Sequence, residues 1–196
     1  MKFGARQIVL HAVSEMGGHA NGKTYLQKLC FFVGKLVGKP LDFRAHFYGP
    51  YSDDVSAELA FLVNGDFLTE SRRGSGVPGD QGWEIARYDY RITEKGQTAV
   101  HWLTERFPDE SAQVRAAVRR VLDSGDLDYV GLSFAAKTFW ILEQKGQTMT
   151  PDGVAEAAKQ FRWRVNGQEV TKAAAFLQKL DLARVVSSTA VTDGAQ

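Results

Sequence analysis

Residues 17–24 read GGHANGKT and fit the phosphate-loop pattern G-x-x-x-x-G-K-[ST]. What surrounds the fit decides its meaning. A working phosphate loop needs a buried strand ending just before it, so that backbone N–H groups curl round phosphate at the next helix start. The preceding stretch, GARQIVLHAVSEM (residues 4–16), instead sets Ile8, Val9, Ala12, Val13 and Met16 on one helical stripe. After the pattern, Leu26, Leu29, Cys30, Val33, Leu36 and Val37 repeat at helical spacing, which predicts a second helix over residues 22–37 that ends at Gly38 and Pro40. No strand–helix alternation follows that would build a parallel sheet. Gly17, Gly18 and Gly22 therefore read as the joint between two helices, with Lys23 a surface charge. A nucleotide-binding enzyme built on residues 17–24 is the outside alternative.

Outward from that joint, LDFRAHFY (residues 41–48) alternates apolar and polar positions and predicts a short strand, with Gly49-Pro50 as a turn. Ser52 is placed to cap a helix over residues 52–64, and Asp53 and Asp54 suit its positive end. FLTESRR and WEIARYDYRI read as two strands of a hairpin around the glycine-rich GSGVPGDQG. A helix capped by Thr93 follows to residue 107. Helix, helix, short strand, helix, long hairpin is the order of a winged helix-turn-helix. The predicted class is mainly α with a small β-hairpin wing (α+β).

The organisation predicted is a winged helix-turn-helix over residues 1–107, a connecting helix over 108–126, a C-terminal helical unit over 127–188 and a frayed tail over 189–196. That last unit contains helices at 132–145, 151–160 and 167–180 and a closing strand in LARVVSS (residues 182–188). AFLVNGDFL (residues 60–68) and AFLQKLDLA (residues 175–183) echo one another, each running from a helix through Asp and an apolar residue toward a strand. A second, smaller winged-helix-like unit would explain the echo, and so would chance.

Bulk composition narrows the classes. In 196 residues, 44% are hydrophobic, 24% charged, and the net charge is +1, ordinary for a globular protein and without a global footprint for nucleic acid. No apolar run reaches the ~18 residues of a membrane span, and no signal-peptide pattern opens the chain. The single Cys30 excludes an internal disulfide and a cysteine-cluster zinc site, and it sits on an apolar stripe. The expectation is a cytoplasmic protein. His11, His19, His46 and His101 are scattered without metal-ligand spacing, and no nucleophile elbow appears. No catalytic residue, metal or cofactor is expected.

Two stretches carry a resemblance. Residues 22–68, GKTYLQKLCFF through FYGPYS to VNGDFL, resemble the YwgA-like family of uncharacterised prokaryotic proteins. The likeness rests on Leu26, Gln27, Lys28, Leu29 and Phe31, and on Tyr48, Gly49, Pro50, Tyr51 and Ser52. More distantly the segment is similar to the Panacea antitoxin domain of phage-associated proteins. In the family the Gly-Lys/Arg-Thr stands at a helix start, which speaks against nucleotide binding. YDYRITEKGQTAVHWL (residues 88–103) resembles the end of the wing in winged-helix regulators.

Function is then expected to be a non-enzymatic, winged-helix DNA-binding or regulatory protein, tied to phage or toxin–antitoxin systems by the resemblance. Such folds usually lay the third helix in the major groove. Here that helix offers Asp53, Asp54 and Glu58, which phosphate repels. The candidate contacts to double-stranded DNA, mainly at phosphates, are Lys23, Lys28, Lys35, Lys39 and Arg44, and around the wing Arg72, Arg73, Arg87 and Arg91. The alternative is a protein-interaction module that keeps the fold without binding DNA, using Tyr48, Gly49, Pro50 and Tyr51. Residues 109–122 or the last long helix are the candidate surfaces for a homodimer.

Overall fold

A computed structural model describes residues 3–39, 41–78, 84–125, 128–146 and 148–182. The opening segment is helical: α1 runs Ala5–Glu15, and everything from Gln7 to Val13 is buried. A helix buried all round lies inside a core, not on its surface. The one-sided stripe read from the sequence understates this, because α1 is wrapped by α2 (Lys23–Leu36), α3 (Asp53–Asn64), α4 (Glu94–Arg106) and α5 (Pro108–Asp123).

The joint between α1 and α2 holds more than a turn. Gly17 and Gly18 take positive φ, and His19–Asn21 then form a strand, β1. Gly22, at φ 100°, caps α2. β1 pairs antiparallel with β3 (Glu84–Ile92), Ala20 opposite Tyr90, and β3 pairs on its other side with β2 (Leu68–Pro78). The sheet order is β1-β3-β2. The middle of the GGHANGKT stretch is thus extended and paired, not curled into a cradle.

The strand expected over residues 41–48 is corrected. Only a single bridge forms, between Arg44 and Tyr51, closed by two backbone hydrogen bonds of 2.9 Å. The alternation is real, with Leu41, Phe43 and Ala45 half-buried between exposed neighbours, but the segment pairs only with its own continuation at Tyr51 and joins no strand of the sheet.

The α3 boundary is as read: Ser52 Oγ accepts from Val55 N, and Val55, Leu59 and Leu62 are buried. The α3–β2 turn and the start of α4 lock together. Thr93 Oγ1 accepts from Gly96 N and donates to the Asp66 carbonyl. Gly96 lies so close to the Phe67 carbonyl that a Cβ there would stand 2.2 Å from its oxygen. The glycine-rich tip, residues 79–83, lies outside the described residues.

The helix expected as a connector, α5, is a core element: Val114, Ala117, Val118 and Val121 are buried against α1 and α2. Arg115 and Arg119 both bond the Glu15 carboxylate. α6 (Tyr129–Lys145) begins three residues before the expected start because Asp128 caps it by accepting from Gly131 N. α7 (Pro151–Ala158) follows a Thr150 cap, and α8 (Gly167–Lys179) starts from an Asn166–Glu169 capping box. α6 packs on α2 and on α8, and one hydrophobic cluster runs from Phe3 to Leu180. The closing strand expected at residues 182–188 and the tail at 189–196 lie, from residue 183 on, outside the described residues.

The echo between the two AFL stretches is present in the backbone. Phe67 N bonds the Leu62 carbonyl at 2.9 Å, and Leu182 N bonds the Leu177 carbonyl at 3.0 Å. Asp66 and Asp181 both sit in the left-handed region, at φ 59° and 52°. Both helices therefore end in the same way, with an aspartate where glycine is usual. Val55, Leu59 and Leu62 of α3 correspond one for one with Val170, Ala174 and Leu177 of α8.

Candidate functional site

The motif FYGPYS forms a turn held from beneath. Gly49 N bonds the His46 carbonyl at 2.9 Å, and the Trp163 indole N–H donates to the same carbonyl at 2.7 Å. Gln27 reaches across from α2 and clasps the Ser52 backbone, accepting from its N–H and donating to its carbonyl. Lys28 Nζ donates to the Pro50 carbonyl at 2.6 Å. Gly49 has φ 97°, and a Cβ there would meet Lys137 Cγ at 3.1 Å and Lys28 Cε at 3.4 Å. Only glycine suits that backbone and that space.

Lys28 is 1% exposed. Burial, with Lys137 nearby, lowers its pKa to about 7. It anchors the turn from inside and leaves the set of candidate DNA contacts: an ammonium shut off from solvent cannot meet phosphate. Lys137 was not singled out from the sequence, although a lysine inside the apolar run LSFAAKTFWIL is a signal for it. It is also buried, with its ammonium near the faces of Phe134 and Trp163, and burial lowers its pKa too.

The outer side of the turn is aromatic. Phe47 is 64% and Tyr48 51% exposed, and their rings meet edge to face at 5.0 Å. Gly49 and Pro50 are buried, and Tyr51 is half-buried beside the His46 ring. Of the four residues proposed for partner binding, Tyr48 alone is well exposed.

The remaining cations are spread out. Lys35 pairs with Glu143 at 2.6 Å. Together with Lys39 and the apolar Phe31, Leu41 and Phe43 it lines a shallow groove of about 420 Å³. Arg44 grips Asp53 through two hydrogen bonds, so the first acidic group of α3 is neutralised from within the molecule and its carboxyl is held below the usual range. Arg6 donates one hydrogen bond of 2.6 Å from Nε to the Glu58 carboxylate while its guanidinium lies over the Phe61 ring at 3.7 Å. Lys23 and Lys39 are half-buried. On the hairpin, Arg72 and Arg91 are exposed. Arg73 and Arg87 stand opposite one another in the register, and their side chains lie outside the described residues. The candidate contacts thus divide into a hairpin group and a group around α2 that is mostly paired or buried.

Cys30 is buried and burial pushes its thiol up to about 12, which suits a packing role. His11 is buried, stacked on Phe3, and burial followed by the nearby Arg115 lowers its pKa to about 4, so it is neutral. Among the described residues no group of His, Cys, Asp and Glu is arranged to hold a metal, and no helix is long and apolar enough to cross a membrane.

Compared with models of known protein families the chain matches none, and no curated protein matches it either.

Proposed function

We propose that residues 3–107 form a winged helix-turn-helix and that the protein is a non-enzymatic regulator that binds double-stranded DNA mainly through phosphates. One observation carries this reading: a three-residue strand between the first and second helices pairs with the far strand of the hairpin, giving the order α1-β1-α2-α3-β2-β3 with sheet order β1-β3-β2. The exposed arginines of the hairpin supply the phosphate contacts, Arg72 and Arg91 with Arg73 and Arg87 as further candidates. The likeness of residues 22–68 to YwgA-like and, distantly, Panacea-type proteins supports a setting in phage or toxin–antitoxin regulation.

Fluorescence anisotropy with a random-sequence duplex at several salt concentrations tests the proposal. Binding is expected to weaken steeply with salt, because bound cations release counterions. Arg72→Ala and Arg91→Ala should each weaken binding alike for all sequences and lower the salt slope by about 1. Unchanged affinity in both variants would remove the hairpin from the interface.

A second reading is favoured by the exposed Phe47–Tyr48 pair. A rigid turn displaying two aromatic faces is suited to a protein partner, since aromatics concentrate binding energy at interfaces. Absence of duplex binding at low salt would favour this protein-interaction module.

A further inference from the structure

The two helices that end alike differ in what they present. On α3 the exposed positions are Asp53, Asp54, Ala57, Ala60, Phe61 and Asn64. Two of them are acidic, and Phe61 lies beneath Arg6, whose guanidinium is held by Glu58. On α8 the exposed positions are Gln168, Thr171, Lys172, Ala175, Gln178 and Lys179. These fall at i, i+3, i+4, i+7, i+10 and i+11, a single stripe along the helix. The stripe contains no carboxylate. Its one acidic neighbour in the first turn, Glu169, is turned back to bond Asn166 N at 2.8 Å.

The chemistry of that stripe matches the major groove. Gln pairs bidentately with adenine, Lys donates to guanine O6 and N7, and Thr and Ala fit the thymine methyl. Small Ala175 at its centre lets the helix axis approach the base edges. Just before α8 the chain carries exposed Arg162 and Arg164. They flank the helix start, where a groove-bound helix passes the phosphates. With Lys172 and Lys179 they make this face positive, whereas the matching face of α3 is negative. Asp152 is the counter-charge nearby, lining with Gln168 and Thr171 a surface hollow of about 600 Å³ where the starts of α7 and α8 meet.

We infer that α8, and not α3, is the helix this protein lays in the major groove of duplex DNA, with α7 and α8 acting as a second helix-turn-helix and the β2–β3 hairpin contacting backbone. The inference rests on the proposal that the protein binds duplex DNA. It adds the element that reads sequence: Gln168, Thr171, Lys172 and Gln178 face the bases, and Arg162, Arg164 and Lys179 face phosphates. Residues 3–107 then keep the fold of a reader whose own third helix carries Asp53, Asp54 and Glu58 and no basic residue.

Matched charge insertions on the full chain test it. Ala175→Glu and Ala60→Glu place a carboxylate at the centre of each exposed stripe, at corresponding points of α8 and α3. Both sites face solvent, so melting temperatures should stay at the wild-type value. With a random-sequence duplex pool at low salt, Ala175→Glu should lose about tenfold or more in affinity, and Ala60→Glu less than about twofold. After selection from the same pool by wild-type protein, Gln168→Ala should lose preference for the selected sequence while its affinity for unselected duplex stays as in wild type. If wild type binds duplex and Ala175→Glu binds as tightly, or if both insertions weaken binding equally, the assignment to α8 is overturned and DNA binding stands. If wild type binds no duplex at all, the underlying proposal fails and the assignment falls with it.

Discussion

Lys28 holds an ammonium where water is absent, and that has a measurable consequence. In the unfolded chain its proton stays on to the ordinary lysine value of 10.5; in the fold it leaves near 7. Between those two values unfolding takes up a proton, so this residue makes stability rise with pH across that window, and its cost is fully felt below pH 7. The slope is about 1.4 kcal/mol per pH unit for one proton. Lys28→Met removes the charge and keeps most of the bulk. Urea unfolding of both proteins from pH 6 to pH 9 checks this: the variant should lose stability relative to wild type as pH rises through 7, and parallel curves would show that Lys28 keeps its proton in the fold up to pH 9, with no lowering by burial. The sequence placed Lys28 among surface cations because it lies off the apolar stripe of Leu26, Leu29, Cys30 and Val33. A stripe reveals one buried face. It cannot reveal that α6 covers the other, which only the packing of Phe31 on Phe139 makes plain.

At the scale of elements, helix ends were the most legible feature and the small strands the least. Ser52 and Thr93 stand where the sequence put them because a cap is a local event, decided within four residues. β1 is three residues long and owes its existence to β3, some seventy positions away, so no local pattern announces it. The expected strand at 41–48 had the better pattern, yet it forms only the Arg44–Tyr51 bridge. The matched ends of α3 and α8 lie between these cases: the AFL echo was visible, and its cause is a shared left-handed aspartate. Aspartate tolerates that region less well than glycine. Asp66→Gly should raise stability by about 0.5–1 kcal/mol, read as a higher urea midpoint at unchanged slope. Asp181→Gly should gain less, because the Asp181 carboxylate also takes the Arg120 guanidinium. Equal gains at both sites would show that the Arg120 pair contributes nothing.

For the molecule as a whole, the aromatic seam on α2 decides whether the expected units are separable. Phe32 is fully buried, its ring 5.3 Å from Phe31, 6.4 Å from Phe139 of α6 and 5.3 Å from Phe176 of α8. The sequence placed a boundary near residues 122–128, and composition there supports a break. Yet the core passes straight through it, because α2 is sandwiched between α1 and α5 on one side and α6 on the other. The helices before and after that boundary thus share one interior, and cooperativity should follow the interior. Phe32→Ala removes the ring on which both sides converge and should cost about 3–5 kcal/mol. Hydrogen exchange in α1 and in α8 reports the two sides separately. Both should lose protection by the same amount in the variant, since opening either side exposes the other. Loss confined to α8, with α1 still protected at the wild-type level, would mean that residues 3–107 stand alone and that α6, α7 and α8 are docked on them as a detachable part.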